Sequence, residues 1–340
     1  MKTLLLIDAN SIIHRSFHAL PPFTAPDGQP SGALYGIASI LLKLWREERP
    51  DYAAALFDRP EPTFRDAKYP EYKAHRPPAA DELVSQIIEA RRLFAAFGVR
   101  TFEKAGYEAD DLIATFAEEF KKEGAAQDGF RIVILTGDRD TLQLVDGNRV
   151  VVRVFNKGIS DTTIYDEDAV RAKFGLAPAQ LIDYKALVGD PSDNVKGVPG
   201  VGPKNATEAL HRFGGVDGLY EHIAMAQAQG EDGSESKWIK RFGPFKKEAD
   251  LSRELVTLDR RAPVEMPALS SLATVSDPPE VEKYFTAMGF VTLLKRMASA
   301  QEWDAEGGGT APRRGPAPRG GKARGRSAGA PDRGAQGRMF

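Results

Sequence analysis

Short apolar runs alternate with longer amphipathic stretches through the first half of the chain. The runs have the length and composition of buried strands and cover residues 3–7, 52–57, 131–135 and 149–155. The stretches between them repeat apolar residues at helical spacing and include residues 32–48, 81–97 and 109–123. Strands that alternate with helices predict crossover connections and an α/β fold, with a mostly parallel sheet flanked by helices.

The pattern changes twice further along the chain. Beyond about residue 166 the strand pattern ends, and helical stretches follow at 166–174, 178–188 and 203–213. We therefore predict an α/β domain over residues 1–165 and a mainly helical domain over residues 166–300. Residues 307–340 contain ten Gly and four Pro with almost no apolar side chains. Such a tail cannot offset the entropy of ordering, so we predict that it is disordered.

Composition excludes several classes of protein. The chain of 340 residues has no Cys, which excludes disulfides, zinc-thiolate sites and a cysteine nucleophile. Its longest apolar run is six residues, Tyr52–Phe57, too short to span a membrane. The first apolar run meets Asp8 too early to serve as a secretory signal. These features predict a cytoplasmic protein with no membrane partner.

The net charge of −2 divides unevenly along the chain. Residues 307–340 hold seven Arg, one Lys and one Asp, a net of +7, which leaves −9 on the other 306 residues. A flexible basic tail is typical of a sequence-independent nucleic-acid tether. An acidic body, in contrast, needs bound cations to approach a polyanion.

Carboxylates recur where predicted strands end. Nine of them fall into five short clusters: Asp8, Asp58, Glu108, Asp110, Asp111, Asp138, Asp140, Asp190 and Asp193. A single Asp after a strand is usually a helix cap. Five clusters at one sheet edge, where open α/β sheets form their sites, would repel one another unless cations neutralised them.

The ligand chemistry points to hard cations. Oxygen ligands without His or Cys favour Mg²⁺ or Mn²⁺ over zinc, and nine carboxylates exceed what one such ion uses. We therefore predict two metal ions, an arrangement suited to in-line displacement at a phosphodiester. None of the five His forms a zinc-protease or Ser/His/Asp signature. Residues 197–202 have the glycine spacing of a P-loop, but Pro203 stands where that motif requires Lys.

A basic and aromatic segment follows Asp58. Cations alternate there with rings, in the order Phe64, Arg65, Lys68, Tyr69, Tyr72, Lys73 and Arg76. Such residues neutralise phosphates and stack on bases. In this interpretation Lys73 and Arg76 steer the scissile phosphate, and Tyr72 stacks on a nucleobase. A solvated surface helix with a few packed aromatics is the alternative.

A glycine-rich hairpin precedes the predicted helix at residues 203–213. Its small residues could present backbone N–H groups to DNA phosphates without reading sequence. The predicted contacts are Gly197, Val198, Gly200, Gly202 and Lys204. A plain turn between two helices is the alternative.

Together these stretches resemble the bacterial 5′ nuclease family, the 5′–3′ exonuclease and flap endonuclease domain that begins DNA polymerase I. The likeness spans about residues 1–295. The matching runs are Ile7-Asp8-Ala9-Asn10 with Arg15 and Phe17-His18-Ala19-Leu20, Phe57-Asp58, Thr63-Phe64-Arg65, Tyr72-Lys73-Ala74-His75-Arg76-Pro77, Gly106-Tyr107-Glu108-Ala109-Asp110-Asp111, Thr136-Gly137-Asp138-Arg139-Asp140, Gly189-Asp190-Pro191-Ser192-Asp193-Asn194 and residues 197–204.

The resemblance implies a PIN-like core, a helical arch at about residues 64–97, and a C-terminal helix-hairpin-helix element that holds K⁺ against duplex DNA. It implies two Mg²⁺ or Mn²⁺ ions on the nine carboxylates. The first ion is expected on Asp8, Asp58, Glu108, Asp110 and Asp111, and the second on Asp138, Asp140, Asp190 and Asp193. The expected catalytic residues are Tyr72, Lys73 and Arg76, and Arg15, Arg65 and Lys68 are expected to contact DNA.

The implied function is a structure-specific 5′–3′ exonuclease and 5′-flap endonuclease of DNA replication and repair. Its expected substrates are 5′ flaps, nicks, duplex 5′ ends and RNA primers. We expect a monomeric, nucleoid-associated nuclease that stands alone and works with a separate DNA polymerase, because no polymerase follows residue 300. Two alternatives are a non-catalytic DNA-structure-binding protein and a PIN-type ribonuclease, which would not explain the glycine hairpin.

Overall fold

The computed structural model describes residues 1–124, 129–230, 236–274 and 277–305, with side chains up to residue 299. The predicted disordered tail at 307–340 lies outside these residues. Residues Met1–Leu294 form one compact unit. Of the second unit, Lys295–Phe340, the structure describes only the helical residues 295–305.

A six-stranded sheet forms the centre of the compact unit. Its strands are β1 (Thr3–Asp8), β2 (Tyr52–Phe57), β3 (Arg100–Glu103), β4 (Arg131–Thr136), β5 (Val150–Phe155) and β6 (Thr162–Tyr165). They lie in the order β3-β2-β1-β4-β5-β6, and every pairing is parallel except the antiparallel pair of β5 and β6. The predicted mostly parallel sheet is confirmed.

The two edge strands were not predicted from the sequence. β3 is four residues long and at least partly exposed throughout, so it has no continuous apolar run. β6 is equally short and has only Tyr165 buried. Edge strands of this kind lack the buried run that identifies a central parallel strand.

Helices cover both faces of the sheet. Those in the first half are α1 (Ala9–Ala19), α2 (Gly32–Glu47), α3 (Phe64–Lys68), α4 (Asp81–Ala96) and α5 (Ala109–Gly124). Leu4 and Leu6 of β1 join one buried cluster with α5, while the alternating residues Leu5 and Ile7 are also buried. Because successive strand residues point to opposite faces, β1 is enclosed on both.

The second half of the unit is helical. Its helices are α6 (Glu167–Phe174), α7 (Gln180–Val188), α8 (Pro203–Phe213), α9 (Val216–Gln229), α10 (Ser236–Phe242), α11 (Lys246–Val256), α12 (Pro278–Ala287) and α13 (Val291–Ala305), the last of which continues into the second unit. Single 3₁₀ turns occur at Asp140–Leu144, Gly243–Phe245 and Leu269–Leu272. Within the described ranges, every helix is too short or too polar to span a membrane.

A glycine-dependent hairpin joins α7 to α8. Gly189 and Gly197 both have positive φ, at +86° and +67°. A Cβ on Gly189 would lie 2.6 Å from the carbonyl O of Val195, and one on Gly197 would lie 2.3 Å from the backbone N of Gly189. The two chain segments can therefore approach each other only because both positions lack a side chain.

Candidate metal centre

The sheet order creates a crevice at the carboxyl end of β1. The chain leaves β1 toward β2 on one side, whereas β4 pairs on the other side. Asp8 is the last residue of β1, Asp58 directly follows β2, and Asp138 lies two residues beyond β4. Crevices at such a change in strand direction are where open α/β sheets bind ligands.

Four carboxylates form what we call the inner cluster: Asp8, Asp58, Asp110 and Asp138. Burial, together with the charges of Asp58 and Asp138, raises the pKa of Asp8 to about 7 against the hydrogen bonds from Thr136 and Ser11. Burial also raises the pKa of Asp110 well above its ordinary value, with added repulsion from Asp8, Asp138 and Asp58. The four carboxylates therefore lie close enough for their charges to act on one another.

The cations around the inner cluster are engaged mainly by other carboxylates of the described residues. Lys73 pairs with Glu108, and Lys185 pairs with Asp140 and Asp190, while the charge of Lys185 also acts on Asp138. The Oδ1 atom of Asp110 is buried and lacks a hydrogen-bond donor. A buried carboxylate oxygen without a partner is costly, and a hard divalent cation would satisfy it. The chemistry of the inner cluster therefore suits a divalent metal ion, while among the described residues the carboxylate oxygens that already lie within 4.8 Å of one another are those of Asp140, Asp190 and Asp193.

A second group, the outer cluster, consists of Asp140, Asp190 and Asp193. One carboxylate oxygen of each lies within 4.8 Å of the others, a separation at which they could share an ion. The ammonium of Lys185 donates to Asp140 and, at 2.6 Å, to Asp190. Burial raises the pKa of Asp140 well above its ordinary value. Burial acts the same way on Asp190, but Lys185 and Ser192 outweigh it, so the pKa of Asp190 is lowered.

Glu108 lies between the arch segment (residues 64–97) and the outer cluster. Its Oε2 atom accepts a hydrogen bond from the Tyr72 hydroxyl at 3.0 Å, and the same hydroxyl lies 3.0 Å from Oδ2 of Asp193. Lys73 Nζ lies 2.5 Å from Oε1 of Glu108, and Arg76 Nη2 lies 2.5 Å from Oδ1 of Asp193. The predicted arch residues therefore contact the carboxylates directly.

Tyr72 does not have the predicted exposure. Its side chain is only 4% exposed and packs with Val195, Leu255 and Val256. Burial and the neighbouring carboxylates raise its pKa, which keeps the hydroxyl protonated as a donor. The ring of Tyr72 faces the protein interior in this conformation, and its stacking on a nucleobase stays a prediction.

Arg65 and Asp111 form a buried pair away from solvent. The Arg65 guanidinium, 1% exposed, lies 2.7 and 2.8 Å from the two carboxylate oxygens of Asp111, which is fully buried. Asp111 also accepts the backbone N–H groups of Glu108 and Asp259. Arg65 cannot contact DNA here, and the oxygens of Asp111 are already engaged. Both predicted roles therefore need correction.

Two other predicted DNA contacts have protein partners. Arg15 donates to the carbonyl O atoms of Gly158, at 2.6 Å, and Asn156, at 2.7 Å. Lys68 is exposed and forms an ion pair with Glu254. Arg15 thus fastens α1 to the turn between β5 and β6 in this structure, while Lys68 keeps a surface position from which it could reach a phosphate.

The glycine hairpin offers fewer N–H groups than predicted. The N–H of Gly197 donates to Ser252 Oγ at 3.2 Å, and that of Val198 donates to the carbonyl O of Leu187 at 2.9 Å. Both residues are buried, so they cannot present N–H groups to DNA. Gly200 and Lys204 are exposed, and Gly202 caps the N-terminus of α8. The available part of the hairpin is its tip and the first turn of α8.

Several residues that support the carboxylates were not selected from the sequence. Asn10 Oδ1 accepts the N–H of Asp58 at 3.3 Å, and Thr136 Oγ1 lies 2.6 Å from Oδ2 of Asp8. Ser11 donates its N–H to Asp8 Oδ1 at 3.0 Å. Their positions next to an Asp at the end of a strand could have identified these polar residues as supports for the carboxylates. No feature of the sequence identifies Lys185 in this way, because it lies within an otherwise mostly buried helix.

The metal-free protein is expected to become more stable as the pH falls from about 8 to about 5. The pKa of Asp8 is about 7 in the folded state against an ordinary value of 3.8, so the folded state binds more protons in this interval. The free energy of unfolding from urea titrations should rise accordingly. Saturating Mg²⁺ should remove the rise, because the ion replaces the protons. A stability that is constant or falls toward pH 5 would contradict the raised pKa of Asp8.

Two family models match the chain. The one described as 5′-3′ exonuclease, N-terminal resolvase-like domain, matches residues 3–175, and the one described as 5′-3′ exonuclease, C-terminal SAM fold, matches residues 176–278. A 5′-3′ exonuclease of Aquifex aeolicus (strain VF5) is 38% identical over 267 residues, which cover 78% of this chain and 85% of the relative.

DNA polymerase I of Bacillus subtilis (strain 168) is 37% identical over 296 residues, which cover 87% of this chain and 32% of the polymerase. The chain thus spans about a third of the length of the polymerase I relatives it matches.

Solved structures share the fold at low sequence identity. T5 5′-exonuclease with bound zinc has a TM-score of 0.59 at 20% identity, covering 84% of this chain and 98% of that one. The bacteriophage T5 D15 flap endonuclease in a complex with DNA and metal ions has a TM-score of 0.57 at 21% identity, covering 88% and 98%. The fold expected from the sequence resemblance is confirmed.

Proposed function

Since this chain belongs to the 5′-3′ exonuclease family, we propose that it hydrolyses phosphodiester bonds of DNA from 5′ ends and at the base of 5′ flaps. The observation that carries the proposal is the inner cluster, in which the charges of Asp58, Asp110 and Asp138 act on one another or on the buried Asp8, and Asp110 Oδ1 has no hydrogen-bond donor. The names of the relatives, which include a flap endonuclease with DNA and metal ions, agree with this choice of substrate.

The two clusters would each hold one Mg²⁺ or Mn²⁺ ion. Asp8, Asp58, Asp110 and Asp138 would bind the first, and Asp140, Asp190 and Asp193 the second, with Glu108 beside both. This division places Asp138 with the first ion, because its charge acts on both Asp8 and Asp110; its charge acts on Asp140 as well, so Asp138 lies between the two positions. It also removes Asp111 from the ligands. When bound, such ions activate water and stabilise the leaving oxygen.

Lys73 and Arg76 would exchange partners when the substrate enters. Lys73 now pairs with Glu108, and Arg76 pairs with Asp193. Burial lowers the pKa of Lys73, but Glu108 and Asp193 outweigh it and raise the pKa, so the ammonium stays charged. Once these carboxylates served as metal ligands, Lys73 and Arg76 would be able to contact the scissile phosphate and stabilise developing negative charge there. Tyr72 would keep the carboxylates in position through its hydroxyl.

The glycine hairpin would bind the duplex part of the substrate. The exposed hairpin tip at Gly200 and the first turn of α8, with Gly202 and Lys204, would bind the duplex backbone, and K⁺ would bind at this hairpin. The proposed substrates are 5′ flaps, nicks, duplex 5′ ends and RNA primers. The proposed setting is replication and repair at the nucleoid, with a monomeric enzyme and a separate DNA polymerase.

The test is cleavage of a 5′-flap duplex with Mg²⁺, with product lengths resolved. We expect short products from the wild type and a loss of about 10²–10³-fold in the single-turnover rate for Lys73→Met. Lys122→Met is the matched control, because the exposed Lys122 pairs with Glu119 of its own helix and with none of the nine carboxylates. Its rate constant at saturating DNA should match the wild type.

Other results would favour other functions. Binding of flap DNA without cleavage in Mg²⁺ or Mn²⁺ would indicate a non-catalytic DNA-structure-binding protein. Faster cleavage of single-stranded RNA than of the flap would indicate a PIN-type ribonuclease. Equal losses in Lys73→Met and Lys122→Met would contradict the role given to the arch residues.

A further inference from the structure

Two hydroxyl groups connect the segments that carry Asp8 and Asp138. Thr136, the last residue of β4, is fully buried, and its Oγ1 atom lies 2.6 Å from Oδ2 of Asp8. The same oxygen lies 2.9 Å from the backbone N of Asp138. A single side chain therefore contacts one carboxylate of the inner cluster and the main chain of another.

The direction of these hydrogen bonds is fixed by chemistry. The N–H of Asp138 can only donate, so it uses a lone pair of the Thr136 hydroxyl oxygen. The hydroxyl proton is then free for the Asp8 carboxylate, which accepts it. Hydrogen bonds in such a chain polarise and strengthen each other inside a protein.

Ser11 forms a second bridge between the same segments. Its N–H donates to Oδ1 of Asp8 at 3.0 Å, and its Oγ atom accepts the N–H of Gly137 at 2.8 Å. A Cβ on Gly137 would lie only 2.8 Å from that Oγ atom, so a side chain at this position would force the bridge apart. Each oxygen of Asp8 thus receives one hydrogen bond and keeps lone pairs for another ligand.

We propose that Thr136 is a positioning residue that sets the separation and orientation of Asp8 and Asp138 for one divalent cation, with Ser11 as its partner. The inference rests on the proposed metal-dependent function. Neither hydroxyl touches the reacting atoms. The two hydroxyls hold the carboxylates of Asp8 and Asp138 near each other before the cation binds. Without them the cation would have to order these two like charges itself, at a cost in affinity.

The test measures Mn²⁺ affinity by calorimetric titration of the full chain without DNA. Thr136→Val removes the hydroxyl and keeps the branched shape. The matched control is Thr115→Val, because Thr115 is also buried and its hydroxyl likewise makes one donated and one accepted hydrogen bond. It donates to the carbonyl O of Asp259 and accepts the N–H of Ala262. We expect Thr136→Val to weaken Mn²⁺ binding by about 10–100-fold, and Thr115→Val to change it by less than about twofold.

Conservative variants separate positioning from folding. Thr136→Ser restores the hydroxyl and should recover most of the affinity. Ser11→Ala removes the second bridge and should weaken binding in the same direction. If Thr136→Val fails to give a cooperative thermal transition, these two variants decide the result. The proposal is overturned if the hydroxyl-deficient variants bind Mn²⁺ like the wild type, if Thr115→Val loses as much affinity, or if the wild type binds no Mn²⁺.

Flap cleavage assays on the same variants distinguish a failure of the proposed nuclease function from a failure of the positioning role of Thr136. We expect Thr136→Val to need a higher Mn²⁺ concentration for half-maximal cleavage while its DNA affinity in Ca²⁺ stays unchanged. A wild type that binds Mn²⁺ and never cleaves would overturn the proposed function alone. The positioning role would still be decided by the calorimetric affinities.

Discussion

Replacing Asp110 with Asn is expected to abolish most of the cleavage and to stabilise the metal-free protein at the same time. Burial and the charges of Asp8 and Asp138 raise the pKa of Asp110 well above its ordinary value. Its ionised form therefore costs folding free energy at neutral pH. Its Oδ1 atom has no hydrogen-bond donor, so a neutral amide of the same shape forfeits no bond there. We expect a gain of about 1 kcal/mol in the free energy of unfolding.

The cleavage rate should fall by about 10²–10³-fold, because the first metal position loses an anionic ligand. Saturating Mn²⁺ should reverse the order of stability, since ligand binding stabilises the wild type more than the variant. Urea titrations with and without Mn²⁺ measure both effects. Asp166→Asn is the control: Asp166 caps α6 by accepting the N–H of Ala169, and Asn caps a helix equally well. A destabilised Asp110→Asn variant, or one that cleaves like the wild type, would contradict the assignment.

The central strands could be predicted because a strand that is buried on both faces needs apolar residues at nearly every position. β1, β2 and β4 are enclosed by helices, so each is a nearly continuous apolar run that ends at the sheet edge where an acid follows. The edge strands β3 and β6 are stabilised by pairing with one neighbour rather than by burial. Backbone pairing leaves no pattern in the side chains, which is why neither strand was found.

The site was predictable in its residue types and less so in its partners. Acids at the ends of adjacent parallel strands must approach one another, and the structure places Asp8, Asp58 and Asp138 together. Ion pairs between distant segments cannot be read from spacing, so the contacts of Lys185 with Asp140 and of Arg65 with Asp111 were missed. The buried ring of Tyr72 was missed for the same reason, since its neighbours lie more than a hundred residues away.

Asp110 and Asp111 show why two adjacent acids need not share a role. Successive residues of a helix point about 100° apart, so the first turn of α5 cannot direct both side chains into one site. Asp110 faces Asp8 and Asp138, whereas Asp111 turns to Arg65. Arg65 also donates to the carbonyl O atoms of Leu255 and Thr257 and so joins the arch segment to the end of α11. The Arg65–Asp111 pair is therefore predicted to be structural.

Breaking that pair should destabilise the fold strongly. Arg65→Met leaves the fully buried carboxylate of Asp111 without its cation, and Asp111→Leu leaves the buried guanidinium with only the more distant carboxylate of Glu108, at 3.4 Å. Each single variant is expected to lose about 3–5 kcal/mol in the free energy of unfolding, measured by urea titration. The double variant should lose less than the sum of the two, because neither buried charge then remains, and the coupling follows from the double-mutant cycle.

Asp111→Asn decides between a structural residue and a metal ligand. The amide keeps the shape of the carboxylate but weakens the contact with Arg65, so a structural Asp111 predicts lower stability and an unchanged affinity of the folded protein for Mn²⁺. Asp58→Asn is the comparison, because Asp58 belongs to the inner cluster and its Oδ1 atom accepts the N–H of Ala109, which an amide oxygen can also accept. It should lose Mn²⁺ affinity while the metal-free fold keeps its stability. If Asp111→Asn behaved like Asp58→Asn, Asp111 would be a ligand, and the guanidinium of Arg65 would then have to find its anion elsewhere when the metal binds.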